Sequence, residues 1–344
     1  MSFAGAAVTG SVAAMLVAAT VSGVIAWSGP VDRPRDRGAH KAPTPTAGGL
    51  GVIAGTSIGL LLFALRAPHP PAGLGKIAAA LGFSAVLGLI GALDDLLDLG
   101  ARTKLLLQVG LSLLFAVFVG HIEAIPLTET VNVPLGPFIG VLGTALWLVV
   151  VTNAVNFMDG ANGLAAGALA IVLAVFGRAA LAGGDGLLGV AATMAAIAGL
   201  GFLPWNFPRA KLFQGDAGAL FTSFFAAALA VIGAGAGGHG AVFIFFIPLA
   251  LLPFLADVLL TLLSRARARK RLLDAHAEHL YQRWLAAGGK SHVALAWRVY
   301  GLTAVFSGAA LLLTGAAPLI QLAGFIIGTS VAVVLWVAVR RRLP

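Results

Sequence analysis

Eleven apolar runs, each roughly 15 to 25 residues long, divide this chain, and no other feature restricts its fold as much. They lie near Phe3–Trp27, Leu50–Leu65, Ile77–Leu93, Leu105–Val119, Phe138–Val151, Leu164–Leu181, Leu187–Leu203, Leu220–Gly235, Val242–Leu263, Val299–Thr314 and Leu319–Val339. With their flanks they are long enough to cross about 30 Å of hydrocarbon as helices. A hydrophobic fraction of 59%, a charged fraction of 10% and a mean hydropathy of +0.99 exclude a soluble domain with a charged shell. The expected fold is an all-α polytopic membrane protein of about eleven transmembrane helices, with residues 1–344 forming a single integral membrane domain. The 45 glycines suit helices that pack closely in lipid. With no cysteine, disulfides and thiolate metal sites are out. The first run lacks a basic leader and runs into a charged loop, so it reads as a retained helix rather than a signal peptide.

Positive charge orients the bundle. With the N-terminus outside, 19 of the 22 basic residues fall in cytoplasmic segments, and only Arg66, Lys76 and Arg178 remain outside. The C-terminus is then cytoplasmic, and residues 264–298 form a cytoplasmic loop. A net charge of +9 is accounted for by topology and by anionic lipid headgroups, so no nucleic-acid partner is needed.

The same orientation gathers four polar clusters on one membrane face: "LDDLLDLGARTK" (93–104), "TNAVNFMDGANG" (152–163), "FQGDAG" (213–218) and "DAHAEHLYQRW" (274–284). Acids near bilayer depth are costly and normally line a cavity or pair with cations. On a helix, Asp94, Asp95 and Asp98 can face one cavity, because three- and four-residue spacings share a face. Hard oxygen ligands without cysteine point to Mg²⁺, with Mn²⁺ as the alternative ion; a solvated helix end balanced by Arg102 and Lys104 is the plainer explanation. Asn153, Asn156 and Asp159 recur every three residues along one helical stripe. Their carboxamides can ligate a metal, pair with a planar ring or link helices by hydrogen bonds. Asp216 lies between glycines at a helix start, where free N–H groups favour phosphate, and where a simple cap is the plainer role. His276 and His279, beside Arg283, lack a third zinc ligand and suit a phosphate or sugar grip.

Taken in order, these clusters resemble a known family. Asp32, Pro34, Arg37 and His40, then Thr44–Gly49 as T-P-T-x-G-G, are similar to the first cytoplasmic loop of the polyprenyl-phosphate N-acetylhexosamine-1-phosphate transferases. DDxxDL followed by Lys104, NAVNFMDGxxGL, GDAG and H-x-x-H-x-x-x-R continue the match across roughly residues 30 to 290, and "HAEHLYQRW" resembles most the branch that begins O-antigen or capsule assembly.

The resemblance implies transfer of N-acetylhexosamine-1-phosphate from a UDP-sugar to undecaprenyl phosphate, with release of UMP, at the cytoplasmic face of a bacterial plasma membrane. It implies Mg²⁺ on Asp216 and Asn156, and Lys104 on the nucleotide diphosphate. Asp94 and Asp95 become the catalytic acids, as base, orienter or nucleophile; Asp98 and Asp159 are counted with them. Asn153 and Asn162 are assigned to substrate, and His276, His279 and Arg283 to sugar and phosphate. Asn162 departs from the Asp of most bacterial members, and Ala219 from the usual Ser. A homodimer within the lipid bilayer is a further expectation. Two other classes compete: an intramembrane prenyltransferase, which would ordinarily carry a second acidic cluster, and a transporter, which would more often show repeats and midplane binding residues.

Overall fold

The computed structural model describes residues 1–32, 43–272, 274, 276–287 and 291–343; the motif positions Pro34, Arg37 and His40 lie outside them. Apolar sequence becomes helix almost run for run: α1 (Phe3–Ser28), α2 (Gly49–Arg66), α3 (Leu74–Leu97), α4 (Ala101–Phe118), α5 (Gly136–Met158), α6 (Leu164–Ala182), α7 (Gly186–Asn206), α8 (Gly215–Ala234), α9 (Phe246–Ala250), α10 (Leu252–Arg267), α11 (Leu280–Ala286), α12 (His292–Leu313) and α13 (Pro318–Arg342). The only strands among the described residues form two short antiparallel pairs, β1 (Val31–Asp32) with β2 (Thr44–Pro45), and β3 (Ala124–Pro126) with β4 (Asn132–Pro134).

The all-α membrane fold is as expected, with one correction. Ten helices among the described residues are long and apolar enough to cross a membrane, not eleven. The run Val242–Leu263 is broken at Leu251 into α9 and α10. Pro253 explains the break, because a proline lacks the N–H of the helical ladder and its ring clashes with the carbonyl four residues earlier. End to end, α9 and α10 still measure about 30 Å at 1.5 Å per residue. The expected loop 264–298 is also shorter, since α10 runs on to Arg267 and α12 begins at His292.

Helix α8 is the central strut, buried from Ala217 through Val231, with α3, α5 and α2 packed on it. α1 packs on α2 and α7, and α6 on α7 and α12. α13 stands at the rim with Ile326, Ile327 and Val334 exposed, as a lipid-facing helix should be. At one end of the bundle the β3–β4 hairpin is tied to the loop after α8, where Glu123 N–H donates to the Ala236 carbonyl at 2.7 Å.

Glycines bring the other end together. A Cβ at Gly49 of α2 would lie 2.0 Å from the Gly218 nitrogen, and one at Gly91 of α3 would lie 2.6 Å from the Asp216 carbonyl. Backbones therefore touch where Asp94, Asp95 and Asp216 enter the site. Gly91→Ala forces α3 and the first turn of α8 apart and should cost about 1–3 kcal/mol as an overpacked contact. Gly82→Ala, on the same helix with open space around it, should stay within about 0.5 kcal/mol of wild type. Thermal unfolding in detergent compares the two.

Candidate active site

Four helices bring polar groups together at the end of the bundle opposite the hairpin. Asp94 and Asp95 ride on the last turn of α3, and Lys104 on the first turn of α4. Asn156 sits near the end of α5, and Asp216 in the first turn of α8. Lys104 Nζ donates to Asp94 Oδ2 at 2.6 Å and to Asp216 Oδ2 at 2.5 Å, and Asn156 Nδ2 donates to Asp216 Oδ1 at 2.8 Å. The backbone N–H of Asp216 points at Asp95 Oδ1, 3.5 Å away. Gly215 makes this turn at φ +68°, and a side chain there would meet Asp95 Oδ2 at 2.3 Å.

The T-P-T-x-G-G segment seats that turn. Phe213 N–H donates to the Pro45 carbonyl at 2.8 Å, while Gly48 and Gly49 N–H groups donate to the carbonyls of Phe213 and Gln214 at 2.9 and 2.8 Å. The motif is thus a backbone clamp on the start of α8, a role its residue types did not announce.

Asn153, one turn before Asn156, donates to Gln108 Oε1 at 2.5 Å. Lys104, Gln108, Asn153, Asn156 and Phe157 line one wall of a cavity of about 300 Å³, and Asp274, His276, His279 and Gln282 line the other. The His279 ring stacks at 5.9 Å on Phe157 and at 6.3 Å on Tyr281, and His276 lies 4.8 Å from it. Tyr281 in turn donates from its hydroxyl to the Phe157 carbonyl at 3.0 Å. Gly160 is required beside it, since a Cβ there would lie 2.1 Å from the Tyr281 hydroxyl oxygen. Burial pushes the His279 imidazole down to about 4, and lowers His276 as well, so both rings enter the cavity neutral at pH 7. The Nε2 atom of His279 is buried and has no hydrogen-bond partner.

Of the other expected site residues, Asp159 follows α5 directly. Its burial and the nearby Asp216 and Asp95 carboxylates push its carboxyl well above the usual range, which puts it in the same electrostatic field. Asn162 lies beyond the turn: its Nδ2 donates to the Pro208 carbonyl at 3.4 Å, and its N–H to His292 Nδ1 at 3.3 Å. Two expectations shift. Asp98 does not share a face with Asp94 and Asp95: the helix stops at Leu97, and Asp98 caps it in the left-handed conformation at φ +54°, exposed. Arg283 turns from the cavity toward the C-terminus, with Nη2 donating to the Leu343 carbonyl at 2.9 Å.

Sequence reading passed over Gln108, Asn206, Asp257 and Tyr281. Asn206 is buried and joins the turn before α6 to the loop before α8, accepting from Gly163 N–H at 2.5 Å and donating to the Leu212 carbonyl at 2.9 Å. Asp257 was visible as an acid inside an apolar run, a signal that marks a functional candidate by default.

The donor set fits a hard divalent cation. Asp94, Asp95 and Asp216 set three carboxylates against the one Lys104 ammonium, a net charge of −2 when all are ionised. Asp94 Oδ1 is buried without a hydrogen-bond partner. Among the described residues no group of three or more His, Cys, Asp or Glu side chains is arranged to hold a metal ion by itself, so any ion here would have to take further ligands from water or substrate.

A bundle of membrane-length helices ends here in a polar, lysine-bridged pocket, and comparison with known proteins gives the family of this membrane protein. Residues 77–234 match glycosyl transferase family 4, and the chain belongs to that family. It is 30% identical over 294 residues, 84% of this chain and 78% of the relative, to a Bacillus subtilis protein called "probable undecaprenyl-phosphate N-acetylglucosaminyl 1-phosphate transferase". It is 34% identical over 285 residues, 76% of this chain and 70% of the relative, to decaprenyl-phosphate N-acetylglucosaminephosphotransferase of Mycobacterium tuberculosis. Phospho-N-acetylmuramoyl-pentapeptide-transferase of a Synechococcus species is 34% identical over 296 residues, 78% of each chain.

The depressed His279 value carries a pH consequence. With about 4 in the folded chain against 6.5 unfolded, only the unfolded state takes up the proton in that window. Stability contributed by His279 is therefore complete above about pH 6.5 and falls as pH drops toward 4, by on the order of 2–3 kcal/mol. Thermal unfolding between pH 4 and 8 should show this slope in the wild type and a shallower one in His279→Gln.

Proposed function

We propose that this protein transfers N-acetylhexosamine-1-phosphate from a UDP-sugar to undecaprenyl phosphate at the cytoplasmic face of a bacterial plasma membrane, as the first step of a cell-surface polysaccharide such as O-antigen or capsule. The observation that carries the reading is the meeting of α3, α4, α5 and α8 around Lys104, with the neutral histidines across the cavity. An oxygen of the lipid phosphate attacks the sugar-bearing phosphorus of the donor. The P–O bond to the nucleotide breaks, and UMP leaves with the bridging oxygen.

Asp216 and Asn156, with Asp94 adjacent, would hold Mg²⁺ (or Mn²⁺), which when bound supplies charge neutralisation to the donor pyrophosphate. Lys104 presents an ammonium to the same phosphates. Asp94 and Asp95 face the acceptor phosphate and take the proton from its attacking oxygen, while Asp159, its carboxyl pushed upward by burial, is offered to the same phosphate as a hydrogen-bond donor. His276 and His279 face the sugar as neutral hydrogen-bonding groups, and Asn162, past the Gly160 turn, is offered to the uracil, whose N3–H and carbonyls match a carboxamide. Holding both reactants in one geometry can lower the barrier by roughly 7–11 kcal/mol. Because the acids share a single lysine rather than forming two separate clusters, a phosphotransferase is favoured over a prenyltransferase.

Membranes containing the protein, given undecaprenyl phosphate, Mg²⁺ and a panel of UDP-N-acetylhexosamines, should release UMP with at least one donor. Asp216→Asn should lower that rate by on the order of a hundredfold, the equivalent of several kcal/mol of lost transition-state stabilisation, while the protein stays folded and inserted. No release from any donor by wild type overturns the reading.

The orientation has its own test, made clean by the absence of native thiols. Cysteine in place of Gly100 should react with an impermeant maleimide only from the cytoplasm, and cysteine in place of Ala72 only from outside. Labelling of position 100 from outside would separate the active site from the cytoplasmic nucleotide pool, and labelling of both from one side would mean that α3 does not cross the membrane.

A further inference from the structure

The cavity wall that carries His276 and His279 is a short segment with little packing of its own, ending in α11. Its rigidity comes from α10. Asp257, buried in that helix with 4% exposure, accepts the Leu280 N–H on both oxygens at 2.9 and 3.0 Å. Leu280 is the first residue of α11, and the residue at the cap position is His279 itself, whose ring forms the cavity wall. The N–H at the free end of α11 is thus held by a carboxylate from a different helix. Thr261 Oγ1 and Trp336 Nε1 of α13 donate to the same carboxylate at 3.3 and 3.2 Å, and the Tyr281 N–H faces it as well, so neutral donors surround it. Two turns further along α10, Arg265 pairs with Glu278, immediately before His279. A buried acid in an apolar helix is costly, and here its hydrogen bonds converge on the element that presents the histidines.

We propose that Asp257 is a positioning residue for the donor half of the site: its carboxylate fixes the start of α11, and so sets His276 and His279 against Phe157 and the cavity. The inference rests on reading that cavity as the UDP-sugar site. It predicts that loosening this hydrogen bond raises KM for the UDP-sugar while leaving KM for undecaprenyl phosphate unchanged.

Two variants remove the bond from opposite sides. Asp257→Asn keeps the side-chain volume and weakens the acceptor. Leu280→Pro deletes the donor, and its ring carbon displaces the Asp257 carboxylate; the backbone itself accepts it, because proline is favoured at the first helical position and His279 already has the extended backbone, φ −63° and ψ 149°, that precedes proline. Leu280→Ala retains the N–H and is the control. A nitroxide on a cysteine at exposed Ala277 reports the loop directly, without reference to activity. Asp257→Asn and Leu280→Pro should each sharpen the nitroxide spectrum to that of a mobile loop and raise the donor KM about tenfold, with Leu280→Ala within twofold of wild type in both. An unchanged spectrum in both variants, or a mobile loop with unchanged donor KM, overturns the proposal. Absence of turnover in the wild type would instead strike the function reading and leave the spectroscopic result standing.

Discussion

The Lys104 ammonium, shared between a carboxylate of α3 and one of α8, is the contact around which the working end of this bundle is built. Like charges about 4 Å apart repel by about 4 kcal/mol at an effective dielectric of about 20, and the ammonium placed between Asp94 and Asp216 offsets that repulsion. Helix packing brings them close because Gly91 and Gly49 remove the side chains that would separate α3, α2 and α8. Small residues supply proximity and the lysine supplies tolerance of it. One positive charge against three negative ones leaves the group with a net charge of −2 when all are ionised, the imbalance on which the proposed Mg²⁺ rests.

The opposite wall of the cavity is organised differently. Neutral, stacked and partly unsatisfied, His276 and His279 belong to a segment between α10 and α12 that packs little apolar surface of its own. Polar contacts from outside hold it: Tyr281 to the Phe157 carbonyl, Asp257 to Leu280, Arg265 to Glu278, and Arg283 to Leu343 near the chain end. The bundle wall carries the Lys104 ammonium, and the tethered segment carries the two neutral imidazoles beside Asp274.

Much of this was legible in the residues. Lys104 and Asn156, both singled out by their motifs, are each bonded to Asp216, because both ride on helices whose periodicity was already clear. Asp98 misled because the spacing rule assumes that the helix continues, whereas the chain turns left-handed one residue after Leu97. Arg283 misled because the chain's own C-terminal end, distant in sequence, offers its guanidinium a carbonyl. Asp257 was hidden in a run read for its hydrophobicity, and Pro253 broke that run into two helices.

The amino-acid order by itself determined that this chain lives in lipid, roughly where its apolar helices lie, and which polar residues must be sheltered from hydrocarbon. Those are local consequences of apolar length and of the cost of an unpaired charge. Only the tertiary structure decided which of the sheltered groups meet. Whether Lys104 bridges Asp94 to Asp216, whether the T-P-T segment clamps the start of α8, and whether a carboxylate of α10 caps α11 depend on backbone approaches between helices far apart in sequence. Residue spacing along one helix carries no information about such distances, because they are set by the side chains, or the missing side chains, of the helix facing it.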